Sequence, residues 1–155
     1  MIITFLGHRT ILKDENLADL VERVILERTS PAEDVYFYCG GYGAFDAICA
    51  GVCRSLKKQR PNSHLVFVTP YLTEAQQKKM NRMVENGEYD SILYPPLESV
   101  PYRTAILRRN EWMIEKADLI LSYVRYSNGG AYEGLRYAYT RGKSIVNFGE
   151  SILPL

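Results

Sequence analysis

The sequence has no long apolar run, no strong excess of charge of either sign, and few cysteines or histidines. No stretch approaches the roughly 20 apolar residues that a membrane-spanning helix requires. Nineteen Lys and Arg residues against eighteen Asp and Glu residues give a formal net charge of +1, so no global field attracts a polyanion. This balance argues against nucleic acid as a partner.

Three cysteines and two histidines leave little material for a metal site or a disulfide framework. Cys39, Cys49 and Cys53 are odd in number and form no CxxC pair, and no histidine cluster accompanies them. The N-terminal segment MIITFLGHR also lacks the charged start and the small-residue cleavage site of a signal peptide. We therefore predict a cytoplasmic protein with no metal, no cofactor and no membrane segment.

The order of apolar segments predicts the fold class. A length of 155 residues suits a single domain, which we place over the whole chain, 1–155. Strands alternating with helices predict an α/β fold, namely a single Rossmann-like, doubly wound, mostly parallel sheet of about six strands with helices on both faces. The predicted strands are IITFL at 2–6, VYFYC at 35–39, HLVFV at 64–68, SILY at 91–94, DLILSYV at 118–124 and SIVNF at 144–148.

Five segments with apolar residues at helical spacing lie between these strands. Asp14 is placed to cap the first helix, and Thr73 with Gln76 forms a capping box for the third. Gly142 ends the last helix. The predicted helices are 15–28, one that carries Phe45, Ile48, Cys49, Val52 and Leu56 on one face, one that follows Thr73, 103–117 and 131–141.

Unusual residues follow three of the predicted strands: GHR at 7–9, GGYGAFD at 40–46 and NGG at 128–130. In an open parallel sheet, ligands bind outside the carboxyl ends of the strands, near the point where the strand order reverses. Glycines there allow backbone N–H groups to converge on an anion, and the helix that follows adds the positive end of its dipole. The pattern predicts that the three turns meet around one pocket for a phosphate-like group.

Two readings stay open for the second turn. Gly40, Gly41 and Gly43 either bring the backbone close to a ligand or only allow positive φ in a strand-to-helix turn. Asp46 is either an acid favoured by the helix dipole or an acceptor for ribose hydroxyls.

Charged and polar side chains near the other strand ends are the remaining candidates. His8 and Arg9 directly follow the first strand, and arginine offers phosphate a bidentate partner. Of Arg108 and Arg109, one is expected to face outward and the other towards the end of the sheet. Glu133 is either an acid at a helix start or a base or nucleophile in a sugar pocket.

These motifs together resemble the SLOG superfamily, which joins DNA-processing protein A with the Lonely Guy phosphoribohydrolases. FLGHR is similar to the first-strand signature of that superfamily, GGYGAFDAICAG to its helix opening, and RNEWMIEKADLILSYV followed by GGA to its closing helix, strand and turn. Small stand-alone bacterial SLOG proteins are the nearest in pattern. By this resemblance Arg109 is a catalytic or phosphate-binding arginine, and Glu133 departs from the Lonely Guy pattern because it arrives earlier than the glutamate of that family.

The resemblance implies three functions. The first is binding of a nucleotide or ADP-ribose-like ligand, the second is a nucleoside-monophosphate phosphoribohydrolase with Glu133 and Arg109 as catalytic residues, and the third is a DNA-processing or scaffolding role. It also implies a homo-oligomer. The expected ligand-binding residues are Gly7, His8, Arg9, Gly40, Gly41, Gly43, Phe45, Asp46, Arg109, Asn110, Gly129, Gly130 and Ala131.

Overall fold

The computed structural model describes residues 1–11, 16–149 and 154. Six strands and five α-helices alternate along these residues, and a short 3-10 turn at Tyr102–Thr104 precedes the fourth helix. In chain order the elements are β1 (Ile2–Gly7), α1 (Leu17–Arg28), β2 (Val35–Cys39), α2 (Ala44–Leu56), β3 (Ser63–Val68), α3 (Glu74–Glu85), β4 (Ser91–Leu93), α4 (Ala105–Lys116), β5 (Leu119–Tyr123), α5 (Gly130–Thr140) and β6 (Ile145–Asn147).

The strands form one parallel sheet in the order β4-β3-β2-β1-β5-β6. β1 pairs with β2 on one side and with β5 on the other, so the direction of winding reverses beside β1. The predicted Rossmann-like α/β fold is confirmed. The reversal places the ends of β1, β2 and β5 next to one another at the same edge of the sheet.

Both faces of the sheet are covered by helices. Side chains alternate along a strand, so Ile3 and Phe5 of β1 pack with α1 and α2 in one core, whereas Leu6 packs with α4 and α5 in another. Thr4 is also buried on the second face. A strand buried on both sides reads as a continuous apolar run, which explains the pattern of β1 and β5.

Several predicted details agree with the structure and others differ at the ends of elements. The Thr73 hydroxyl accepts a hydrogen bond from the Gln76 backbone N–H at 3.2 Å, as a helix cap does. The predicted helix at 103–117 begins with the 3-10 turn, in which the Thr104 N–H donates to the Pro101 carbonyl three residues earlier at 3.0 Å. The predicted cap Asp14 lies outside the described residues.

Neither a membrane-spanning helix nor a metal-binding cluster occurs among the described residues. No helix in 1–11, 16–149 and 154 is long and apolar enough to cross a membrane. No group of three or more His, Cys, Asp or Glu side chains in the same ranges is arranged to hold a metal ion.

Candidate functional site

A crevice of about 520 Å³ opens at the carboxyl ends of β1, β2 and β5. Its lining comes from β1, from the residues that follow β1, β2 and β5, and from α4 and the start of α5. The three turns predicted to meet therefore do lie around one cavity. Ten of the thirteen predicted ligand-binding residues line it: Gly7, His8, Arg9, Gly40, Asp46, Arg109, Asn110, Gly129, Gly130 and Ala131.

The first turn follows β1 and needs glycine for a steric reason. A Cβ atom at Gly7 would lie 2.5 Å from Cβ of Phe45, which is closer than side chains can approach. Phe45 itself is fully buried and packs against Tyr123 and Phe148. It does not line the crevice, so it supports the turn from below rather than facing a ligand.

His8 joins the end of β1 to the segment after β5. Its backbone N–H donates to the Tyr123 carbonyl at 3.3 Å. Its ring Nε2 accepts hydrogen bonds from the backbone N–H groups of Arg125 at 2.9 Å and Tyr126 at 3.2 Å. Burial lowers the pKa of His8, in keeping with a ring that accepts rather than donates at Nε2.

Arg9 is an exposed cation at the mouth of the crevice. Its guanidinium lies 4.6 Å from the centre of the Tyr42 ring, in a cation–π contact, and Tyr42 is itself 54% exposed. The Arg9 carbonyl accepts the Ala44 N–H at 2.8 Å, which holds this turn against the start of α2. Among the described residues no carboxylate forms an ion pair with Arg9.

The second turn is closed by the protein's own carboxylate. Asp46 accepts the backbone N–H of Gly41 at 2.9 Å and that of Gly40 at 3.4 Å. Of the two readings left open for these glycines, the contacts favour the structural one, because a buried anion of the protein itself already binds both amides. Gly41 and Gly43 have φ of +69° and +96°, so the conformation also favours glycine. Neither lines the crevice.

Asp46 is almost completely buried, with 9% of its surface exposed. Burial raises the pKa of its carboxyl group to about 6, against the opposing effect of the Gly41 and Gly40 N–H groups and of Arg109. The backbone N–H groups of Gly40 and Gly41 thus stabilise the charged Asp46 carboxylate at neutral pH, in a site that water solvates poorly.

Arg109 binds the carbonyl of Gly40, whereas Asp46 binds the N–H of the same residue. Its Nη1 donates to the carbonyls of Val68 at 2.8 Å and Gly40 at 3.2 Å, and its Nε donates to Oδ1 of Asn110 at 2.9 Å. Only 4% of Arg109 is exposed, whereas its neighbour Arg108 is exposed and pairs with Glu111. The predicted division between the two arginines is observed, and the inward one ties the end of β2 to the end of β3.

The third turn leaves the start of α5 open to the crevice. Gly129 precedes the helix with φ of +89°, and Gly130 and Ala131 begin it. A Cβ atom at Gly129 or Gly130 would meet no atom within 4 Å, so the approach to the helix start is unobstructed. The positive end of the α5 dipole therefore faces the cavity.

Glu133 does not line the crevice. It lies on the exposed side of α5 and forms an ion pair with Arg136 at 3.5 Å. The single acid in the lining is Asp46, among the residues that the structure describes.

Sequence reasoning missed two hydroxyl residues of the lining, Thr4 and Thr10. The Thr4 hydroxyl donates to the Tyr38 carbonyl at 2.8 Å and contacts the sulfur of Met113 at 3.8 Å. A lone polar residue inside the apolar run IITFL is the signal that could have indicated it.

Solved structures with this architecture provide the comparison. The chain superposes on DNA processing protein A from Helicobacter pylori with a TM-score of 0.61 and 14% identity, over 95% of this chain and 64% of that one. DNA processing protein A from Streptococcus pneumoniae gives 0.58 and 12%, over 94% and 49%. The structural-genomics target TM1055 gives 0.55 and 15%, over 93% and 71%.

These neighbours are Rossmann-like proteins of the SLOG type. The chain shares their Rossmann-like fold. It spans about half to two thirds of the two DNA processing proteins, so the comparison concerns the shared fold and not their full activity. No protein-family model matches the sequence, and no curated protein matches it significantly.

Proposed function

We propose that the protein binds a nucleotide or ADP-ribose-like ligand in the crevice at the carboxyl ends of the strands. The observation that carries the proposal is the meeting of three turns, distant in sequence, around one cavity with an exposed arginine and an open helix start. A cavity of about 520 Å³ is in the range of small-molecule sites, which run from about 300 to 1,000 Å³.

The lining suits a ligand with a polar end and an apolar body. Met113 and Ile114 offer apolar contacts for a base or a sugar ring, and Tyr42 and Tyr126 present aromatic rings. Backbone amides and Arg9 offer hydrogen bonds and positive charge to the polar end.

The charges of the crevice favour one orientation of such a ligand. The Gly40 and Gly41 amides are taken by Asp46, whose carboxylate repels a phosphate. The phosphate groups are therefore expected beside Arg9 and the amides at the start of α5, where no side chain obstructs them. Hydroxyl donors of a ribose are expected on the Asp46 side.

Titration calorimetry against AMP, ADP-ribose, NAD and cyclic ADP-ribose isomers tests the proposal. Replacing Arg9 with alanine removes a charge-assisted phosphate contact and should weaken binding by about 10- to 100-fold. Arg28→Ala removes an equal charge from the last turn of α1 and serves as the matched control. No heat and no thermal shift with any of these ligands, in folded protein, would refute the proposal.

The same preparation tests the alternatives. A phosphoribohydrolase would release free base from AMP and lose that activity in Glu133→Gln, whereas the exposed position of Glu133 leads us to expect binding unchanged in this variant. The Helicobacter pylori neighbour is described by its single-stranded DNA binding, so a salt-dependent gel shift with a single-stranded oligonucleotide decides that alternative. Light scattering would test the proposed homo-oligomer.

A further inference from the structure

The imidazole of His8 accepts two backbone hydrogen bonds at a single ring nitrogen. Both donors, Arg125 and Tyr126, belong to the loop that leads from β5 to α5. We infer that His8 is a positioning residue, whose neutral ring holds this loop against β1 and whose protonation releases the loop and weakens ligand binding. The effect on the ligand rests on the function proposed above, whereas the effect on the loop rests only on these contacts.

The arrangement requires a neutral ring with its proton on Nδ1. A nitrogen accepts an N–H through its lone pair, so Nε2 cannot carry a hydrogen while Arg125 and Tyr126 donate to it. A protonated ring would direct an N–H at two other N–H groups, which removes both bonds and leaves the donors facing a positive charge. Burial lowers the pKa of His8, which keeps the ring neutral at physiological pH.

The loop held by His8 continues into the crevice lining. Tyr126 lies with its ring 5.4 Å from the His8 ring, and the lining residues Asn128 and Gly129 come two and three positions later in the same loop. Gly129 is the residue that precedes α5, so the position of the loop sets where the open helix start points. Releasing Arg125 and Tyr126 thus changes the part of the site where we expect the phosphate.

Other charged and titratable groups near His8 also affect how ligand binding depends on pH. Asp46 is the acid among them, with a pKa raised to about 6, and its protonation has the opposite effect because it removes a negative charge that repels phosphate. The charged and titratable groups facing this region are Arg9 in the same segment, Tyr42 and Asp46 from the β2–α2 segment, Arg109 from α4, Tyr123 from β5, and Arg125 and Tyr126 from the loop.

A ligand-free experiment tests the positioning role. Nitrogen-15 NMR of the histidine rings at pH 7.5 should report the Nδ1–H tautomer for His8. The protection factors of the Arg125 and Tyr126 amides against hydrogen exchange, corrected for intrinsic rates, should fall about tenfold or more between pH 7.5 and pH 5. Unchanged protection of both amides while His8 titrates would overturn the inference.

Two variants separate His8 from other titrating groups. Glutamine places a carbonyl oxygen at the reach of Nε2 and takes up no proton in this range, so His8→Gln should keep both amides protected at pH 5. His64→Gln removes the other histidine, which is half-buried on β3, and should behave like the wild type. Equal loss of protection in His8→Gln and the wild type would also overturn the inference.

ADP-ribose is the probe for the effect on binding, because its pyrophosphate does not titrate near pH 6. Wild-type affinity should fall about tenfold from pH 7.5 to pH 5, whereas in His8→Gln it should stay equal or rise, since only Asp46 then titrates. The same loss of affinity in both proteins would contradict the coupling to the ligand. If ADP-ribose does not bind at all, the proposed function fails for this ligand, and the protection factors still decide the role of His8.

Discussion

Replacing Asp46 with asparagine should change how the stability of the protein depends on pH. The carboxyl group of Asp46 has an ordinary pKa of 3.8 and a pKa of about 6 in the folded protein, with burial as the main cause. Asparagine has a similar shape and can still accept one backbone N–H, but it carries no charge at any pH. The variant therefore isolates the free energy of keeping a charge in this buried position.

The direction in which the free energy of unfolding changes with pH follows from the number of protons that each state binds. Between pH 3.8 and about 6 the folded state holds a proton on Asp46 that the unfolded state has released. The free energy of unfolding contributed by this group therefore decreases as the pH rises through that range. The difference between 3.8 and about 6 corresponds to about 3 kcal/mol, because one pKa unit is about 1.36 kcal/mol.

Urea denaturation at a series of pH values from about 4 to about 7 measures this effect. The free energy of unfolding of Asp46→Asn should increase relative to that of the wild type by about 2 kcal/mol over the series, which is most of the roughly 3 kcal/mol. Asp19→Asn, in the exposed first turn of α1, is the matched control and should run parallel to the wild type. A constant difference between Asp46→Asn and the wild type would refute the reasoning.

The remaining predictions concern the turn and the arginine beside Asp46. Gly41→Ala should lower the free energy of unfolding by about 3 kcal/mol, since a Cβ atom there lies 2.3 Å from the Phe67 ring and φ is +69°. Gly142→Ala has a similar φ of +66° in open space and should cost about 1 kcal/mol, so equal losses in urea denaturation would contradict the steric argument. Arg109→Lys should cost about 2 kcal/mol, because one ammonium does not reproduce the bonds to Val68, Gly40 and Asn110, and a loss below about 0.5 kcal/mol would be inconsistent with this role.

Much of the fold could be predicted because its signals are local. A strand buried on both faces needs apolar residues at nearly every position, and a helix on a sheet needs them every three or four, so runs such as IITFL and VYFYC indicate their own structure. The glycines after β1, β2 and β5 likewise indicated where the crevice lies. Parallel strands end at one edge, and the reversal of strand order beside β1 then brings Gly7, Gly40 and Gly129 around one crevice.

The partners of the polar groups could not be predicted in the same way. Nothing local indicates that Asp46 takes the amides of Gly40 and Gly41, that Arg109 binds carbonyls of β2 and β3, or that His8 accepts two N–H groups from beyond β5. The bonds of Arg109 to these two carbonyls and of His8 to these two N–H groups join residues 41 to 118 positions apart. Their geometry exists only after the sheet has formed.

The amino-acid order alone thus determined the strands, the helices and the edge of the sheet that carries the crevice, because burial imposes a period on the residues of each element. Tertiary structure alone decided which polar groups of the crevice remain open to a ligand, as Arg9 and the start of α5 do. The physical reason is that a buried polar group takes whichever partner folding brings within hydrogen-bond distance, and that partner has no fixed spacing in the sequence.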